Sequence, residues 1–251
     1  MPDRTARLLC CALLALAAGC TTVAPAAAPE PAGPGPARAL DAGGLRAAVV
    51  TDAELGPGYA VTLMTPGQDT APDQERETAD RPACQPVLDA LAPGKAASGP
   101  TAEADLSVIR KGDPRTALYA GLLAFGPGRA ERLQGELEQV LAACTGFTSV
   151  AGGGAAPGRG VQTRHRLTRT DTPTPEGADA ATAFTLTNES GTVTLLQRAL
   201  LARVGTALAV FSTVGTDQEP AAEPDPEVVR AQLAKLRAAQ GAGRPEPGRP
   251  R

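Results

Sequence analysis

From Val161 to Val214 the sequence presents four strand-compatible runs in succession: about Val161 to Thr170, Ala183 to Asn188, Val193 to Val204 and Ala207 to Val214. Strands that follow one another without intervening helices favour antiparallel hairpins over parallel crossovers. Gly205-Thr206 is suited to turn the last two runs into a hairpin. A second pair lies upstream, where "ADLSVIRKG" and "TALYAGLLAFG" flank the turn signal Gly112-Asp113-Pro114.

Helical periodicity supplies the remaining elements. Leu45 to Leu55 reads as a short helical stretch with Thr51-Asp52 as turn material, and "GPGYAVTLM" then turns into a first strand. Cys84, Val87, Leu88 and Leu91 fall at i, i+3, i+4 and i+7, one face of a helix beginning near Pro82. In "GRAERLQGELEQVLAACTGF" the positions Ala130, Leu133, Leu137, Val140, Leu141 and Cys144 trace an apolar stripe, Glu131, Arg132, Glu136 and Glu138 cover the other side, and Gly146 stops the helix. A glycine-rich loop, "AGGGAAPGRG", follows Val150, and Pro226 opens a final helix carrying Val228, Val229, Leu233 and Leu236. The order helix, strand, helix, two strands, helix, four strands, helix predicts an α+β fold. The expectation is a single domain over residues 41–240, with a mainly antiparallel sheet packed by helices.

Ahead of this domain, Arg4 and Arg7 precede an uncharged apolar run from Leu8 to Ala18, the layout of a secretory signal and too short to span a bilayer. Ala17-Ala18-Gly19-Cys20 resembles the lipobox of bacterial lipoproteins, with Ala17 where Leu is usual. That resemblance implies a signal peptide at 1–19, a diacylglyceryl group on the Cys20 thiol, and attachment to the extracytoplasmic face of the cell membrane. Cleavage after Ala15-Leu16-Ala17, giving a soluble secreted protein, is the alternative. Residues 20–40 form a Pro/Ala-rich linker, able at about 3.1 Å per residue to reach roughly 60 Å. The tail at 241–251 is disordered by its composition.

Cysteine usage fits export. Cys10 and Cys11 leave with the signal and Cys20 takes lipid, so Cys84 and Cys144 remain, each on the apolar stripe of its own helix. An oxidising compartment joins such a pair as a disulfide; two buried free thiols are the alternative.

Most chemistry is excluded. Acidic residues outnumber basic ones 27 to 24, which argues against nucleic acid as a partner. The chain has one histidine, His165, so H-E-x-x-H zinc sites and multi-histidine relays are absent, and no metal or cofactor is expected. There is no G-x-S-x-G elbow, and "GGAAPGRG" from Gly153 places Arg159 and Gly160 where a P-loop needs Lys and Ser or Thr. Glu103 and Asp105 could be read as a carboxylate pair, but nothing else marks a hydrolase. In "TRHRLTRT", strand parity puts Arg164 and Arg166 on one face and His165, Leu167 and Arg169 on the other. Arg164 and Arg166 suit an anion-binding edge; the alternative is a solvated outer face with His165 half-buried. Of the six aromatics, most are expected in the core.

The lipobox, the Pro-rich stalk, "TDAELGPGY", "RPACQPVLDAL" and "VLAACTGF" together resemble lipid-anchored relatives of the PknH-type extracellular sensor domain of actinobacterial Ser/Thr kinases. An Ala-, Gly- and Pro-rich composition with Arg favoured over Lys points the same way. The resemblance would cover roughly Leu45 to Ala239 and implies a sensor-like domain with two disulfides and a ligand cleft; this chain has cysteines for one. The expected function is a non-enzymatic, lipid-anchored binding or sensor-like lipoprotein with a small-molecule or protein ligand. A carrier of an apolar ligand in an internal cavity is the alternative, and a cell-wall hydrolase comes third.

Overall fold

The computed structural model describes residues 37–64, 77–92, 99–151 and 160–241. The expected signal peptide, Cys20, the linker as far as residue 36 and the tail from residue 242 lie outside the described residues. Two short helices, α1 (Ala42–Ala47) and α2 (Asp52–Leu55), lead into β1 (Tyr59–Met64); β2 (Thr78–Ala79) and a 3-10 turn at Pro82–Cys84 precede α3 (Gln85–Leu91). Then come β3 (Ala102–Arg110), β4 (Asp113–Ala124), α4 (Arg129–Ala143), β5 (Gly146–Ala151), β6 (Val161–Thr170), β7 (Ala180–Ser190), β8 (Val193–Val204), β9 (Ala207–Thr216) and α5 (Pro226–Gly241).

The strands form one sheet in the order β1-β3-β4-β9-β8-β7-β6-β5-β2. Every pairing is antiparallel, so the fold is α+β. The sheet carries helices on both faces, and strand alternation shows why. On one face Leu106 and Val108 of β3, Leu118 and Leu122 of β4, Ala202 of β8 and Phe211 of β9 pack on Leu45 of α1 and on Val229, Leu233 and Leu236 of α5. On the other, Leu123, Leu201, Leu208, Val210, Phe184 and Leu186 pack on Val87 and Leu88 of α3 and on Leu137 and Leu141 of α4. The central strands β8 and β9 are buried on both sides, so "ALLA" at 199–202 and "ALAVF" at 207–211 are continuous apolar runs rather than alternating ones.

The helical stretch expected from Leu45 to Leu55 is two helices, interrupted at Ala48 to Thr51 and tied there to α5. Gln232 Oε1 accepts from Val50 N at 3.0 Å and Nε2 donates to Ala48 O at 2.7 Å. Lys235 Nζ donates to Val49 O at 2.7 Å. Thr51 and Glu54 form a capping box that starts α2. Gln240, two turns past Gln232, does similar work at the β8–β9 turn, accepting from Thr206 N and donating to Val204 O. Buried glutamines on a helix core face each satisfy two backbone groups that would otherwise be stranded.

Two strands are additional to the expected order. β5 begins at Gly146, directly after α4, and β2 pairs with it at Ala79↔Ser149. β6 is consequently an interior strand, so "TRHRLTRT" is not an edge of the sheet. Tyr119, one of the aromatics expected in the core, is 44 % exposed, because α4 leaves its part of the sheet uncovered.

Candidate functional site

Helices α3 and α4 do not close completely on the sheet. They leave a cavity of about 250 Å³ floored by Leu123, Phe125, Leu201, Leu208 and Val210, with Leu133 and Leu137 of α4 on one side and Pro86 and Ala90 of α3 on the other. The walls are apolar because they are the inward residues of three central strands and two helix stripes. Three charged side chains line it as well: Asp89, Arg129 and Glu136. Arg129 and Glu136 are partly exposed and lie 3.7 Å apart, and Asp89 Oδ1 accepts from Gln85 Nε2 at 3.0 Å. An apolar pocket with a few charged groups is the usual constitution of a small-molecule site.

A disulfide fixes this geometry. Cys84 and Cys144 are bonded, with Cα atoms 5.8 Å apart. The bond ties the start of α3 to the C-cap of α4, so the two helices that wall the pocket share one covalent anchor. Both cysteines are buried on the α3–α4 side of the sheet.

Beside this anchor is a polar cluster centred on His165. Phe147, His165 and Asn188 are cross-strand partners on β5, β6 and β7, so the sheet register itself lines them up. His165 Nε2 is 2.6 Å from Ser149 Oγ and Nδ1 is 2.7 Å from Asn188 Oδ1. Phe147 stacks on the imidazole with ring centroids 4.6 Å apart. Glu77, just before β2, accepts from Ser149 Oγ and lies 3.3 Å from His165 Nε2. The hydrogen bond from His165 holds the Glu77 carboxyl below the usual carboxylate range, against burial, with Ser149 adding to the effect.

Serine, histidine and asparagine at these distances have the order of a nucleophile, base and orienter. Ser149 is 0 % exposed, however, and its hydroxyl is bonded to Glu77. A substrate carbonyl has no approach to the oxygen, so the cluster reads as a polar network that joins strands.

No family model matches the sequence, and no curated protein matches it. Among solved structures, the chain is similar to the crystal structure of the extracellular domain of PknH from Mycobacterium tuberculosis. The identity is 15 % over 82 % of this chain and 98 % of that one, with a TM-score of 0.49. It is also similar to an uncharacterized protein from Mycobacterium smegmatis, at 14 % identity over 79 % of this chain and 97 % of that one, with a TM-score of 0.38.

Arg164 and Arg166 are both exposed on the face opposite His165, as strand parity requires. Arg166 pairs diagonally with Glu189, the β7 residue that faces Arg164 in register, so an acid already occupies part of that arginine face. His165, expected to be half-buried, is 3 % exposed, because β5 and the Glu77 segment cover it. Asp105 shares its face of β3 with Glu103, and burial pushes its carboxyl above the usual range. Among the described residues no group of three or more His, Cys, Asp and Glu side chains is placed to hold a metal ion.

Sequence reasoning did not single out Glu77, Ser149 or Asn188, nor Asp89 and Arg129 at the pocket. One signal was present: the chain has a single histidine and a single asparagine, and the two are bonded to each other. A residue type used once in 251 positions is a reasonable place to look for a specific contact.

Proposed function

We propose that the chain is an extracytoplasmic binding lipoprotein, anchored through Cys20, whose α3–α4 pocket takes a small, largely apolar ligand with a polar end group. The observation that carries this reading is the pocket itself: apolar walls from three strands and two helices, with the charged side chains Arg129, Glu136 and Asp89 in its lining. A disulfide between its two helical walls and an export-type N-terminus support the compartment. A carrier of a whole lipid is the weaker reading. The cavity, about 250 Å³, falls below the range of about 300–1,000 Å³ usual for drug-sized ligands. The buried Ser149 hydroxyl likewise favours a non-catalytic domain over a cell-wall hydrolase.

Titration with the amphiphilic anionic fluorophore 8-anilino-1-naphthalenesulfonate tests the pocket. Ala90→Phe fills it from α3 and leaves every sheet residue unchanged, and should weaken binding about tenfold or more. Equal affinity in the variant would place the dye elsewhere and count against the pocket. The anchor is tested separately: Cys20→Ala should move the protein from the membrane fraction to the soluble one, and full membrane retention of that variant would overturn lipidation at Cys20.

A further inference from the structure

The His165 cluster has a proton count that its hydrogen bonds constrain. Ser149 has one hydroxyl proton, and it lies toward Glu77. Nε2 of His165 must then carry its own proton to bond the Ser149 oxygen at 2.6 Å. Nδ1 faces the carbonyl oxygen of Asn188 at 2.7 Å, which requires a proton there as well. A ring protonated on both nitrogens is an imidazolium, and Glu77 at 3.3 Å is its counter-ion. A neutral ring satisfies the same contacts if the Asn188 amide turns over and presents its nitrogen to Nδ1, or if Ser149 donates to Nε2 and Glu77 carries a proton, which the lowered Glu77 carboxyl disfavours.

The surrounding charges are few. On the segment that carries Glu77, Asp80 accepts from Thr148 N and Arg81 donates to Gly146 O, both engaged with the β5 backbone. On the opposite face of β6 and β7, Arg166 pairs with Glu189. From α4, Glu138 accepts from Thr182. Glu77 is the charged partner of the imidazole among the described residues.

Glu77 also begins a hydrogen-bond path to the pocket. Its carbonyl oxygen accepts from Gln85 Nε2 at 3.0 Å, while Ala79 N donates to Gln85 Oε1 at 2.9 Å. The same Gln85 nitrogen donates to Asp89 Oδ1 at 3.0 Å, and Asp89 lines the cavity. His165, Ser149, Glu77, Gln85 and Asp89 are thus one contiguous chain of contacts from the interior of the sheet to the pocket wall.

We propose that Glu77, Ser149 and His165 form a proton-dependent latch: protonated His165 clamps the Glu77–Ala79 segment on β5 and so holds Gln85 and Asp89 in place, and loss of that proton loosens them and weakens the pocket. The last step rests on the binding reading of the pocket; the latch itself does not. The sign follows from the pair. Its contribution is present while Glu77 is ionised and His165 is cationic, and it is lost when the ring gives up its proton. By linkage, a ligand that engages Asp89 favours the protonated ring in return.

Because His165 is the single histidine, its imidazole resonances are identified without ambiguity. The experiment follows those resonances from about pH 5.5 to 8 together with the exchange protection factors of the Ala79 and Asp80 amides, in the wild type and in Glu77→Gln. In the wild type, protection is expected to fall about tenfold as the ring loses its proton, in line with one charge-assisted hydrogen bond. In Glu77→Gln, protection should be low and independent of the ring's charge. A ring that stays neutral throughout, or equal protection in the two proteins, would overturn the latch. Titration with 8-anilino-1-naphthalenesulfonate at both pH values separates the two readings. Protection that follows the ring without any dye binding supports the latch and removes the pocket reading, and dye affinity lower at pH 8 than at pH 5.5 supports both.

Discussion

Replacing Cys84 and Cys144 together by alanine removes the covalent tie between the start of α3 and the end of α4. The cysteines are 60 residues apart, and for a loop of that size the chain-entropy expression gives about 4 kcal/mol. Native disulfides typically realise about 2–4 kcal/mol of this, so about 3 kcal/mol is expected here. For a domain of this size that corresponds to a fall in Tm of roughly 6–12 °C. Alanine is the appropriate replacement, since both positions are buried among apolar side chains and a serine hydroxyl there would add a desolvation cost of its own. Guanidinium unfolding of the oxidised wild type and the double variant measures the difference as a shift in midpoint. The slope should also rise in the variant, because the uncrosslinked chain exposes more surface when unfolded. A loss below about 1 kcal/mol with an unchanged slope would refute the reasoning, because the bond would then constrain neither state.

Gln232→Leu keeps the volume but strands the Val50 N–H and the Ala48 carbonyl at the α1–α2 break. It should cost about 2–6 kcal/mol in denaturant unfolding, at about 1–3 kcal/mol for each buried group left unpaired. Asp105→Asn should act in the opposite direction. Burial raises this carboxyl in the folded protein, so the folded state holds its proton to higher pH than the unfolded chain does, and stability falls as pH rises between the two titrations. The variant should therefore be more stable than wild type at pH 7, with the advantage gone below the ordinary aspartate range, as thermal melts across pH would show.

The parts of the fold legible in the sequence were those with strong periodicity. The stripe from Ala130 to Cys144, the hairpin around Gly112 and the apolar runs of β8 and β9 each give a clear pattern, and the structure has an element at each. β5 and β2 were not legible. "GFTSVA" is short and its buried members, Phe147 and Ser149, include a polar one, while β2 is two residues long and exists by pairing with β5. Missing them made β6 look like an edge and His165 look half-exposed, although strand parity placed His165 and Leu167 on one face correctly. The pocket was not legible for a different reason. Its walls are ordinary core residues, and what makes it a cavity is the distance at which α3 and α4 rest on the sheet, a property of packing rather than of pattern. Gln134, Gln232 and Gln240 lie on helix faces that periodicity reads as apolar, because each is recruited by polar groups far away in sequence.

The claim that the α3–α4 pocket is a ligand site is tested most directly by native mass spectrometry of the soluble Cys20→Ala protein purified from its own cells without detergent, compared with the same protein carrying Ala90→Phe and prepared in the same way. The account predicts a small-molecule mass excess on the Cys20→Ala protein that is released on unfolding and is absent or strongly reduced when Ala90→Phe is added. A Cys20→Ala protein that carries no adduct and gains none when exposed to a cell extract, or an adduct retained equally with Ala90→Phe, would contradict it.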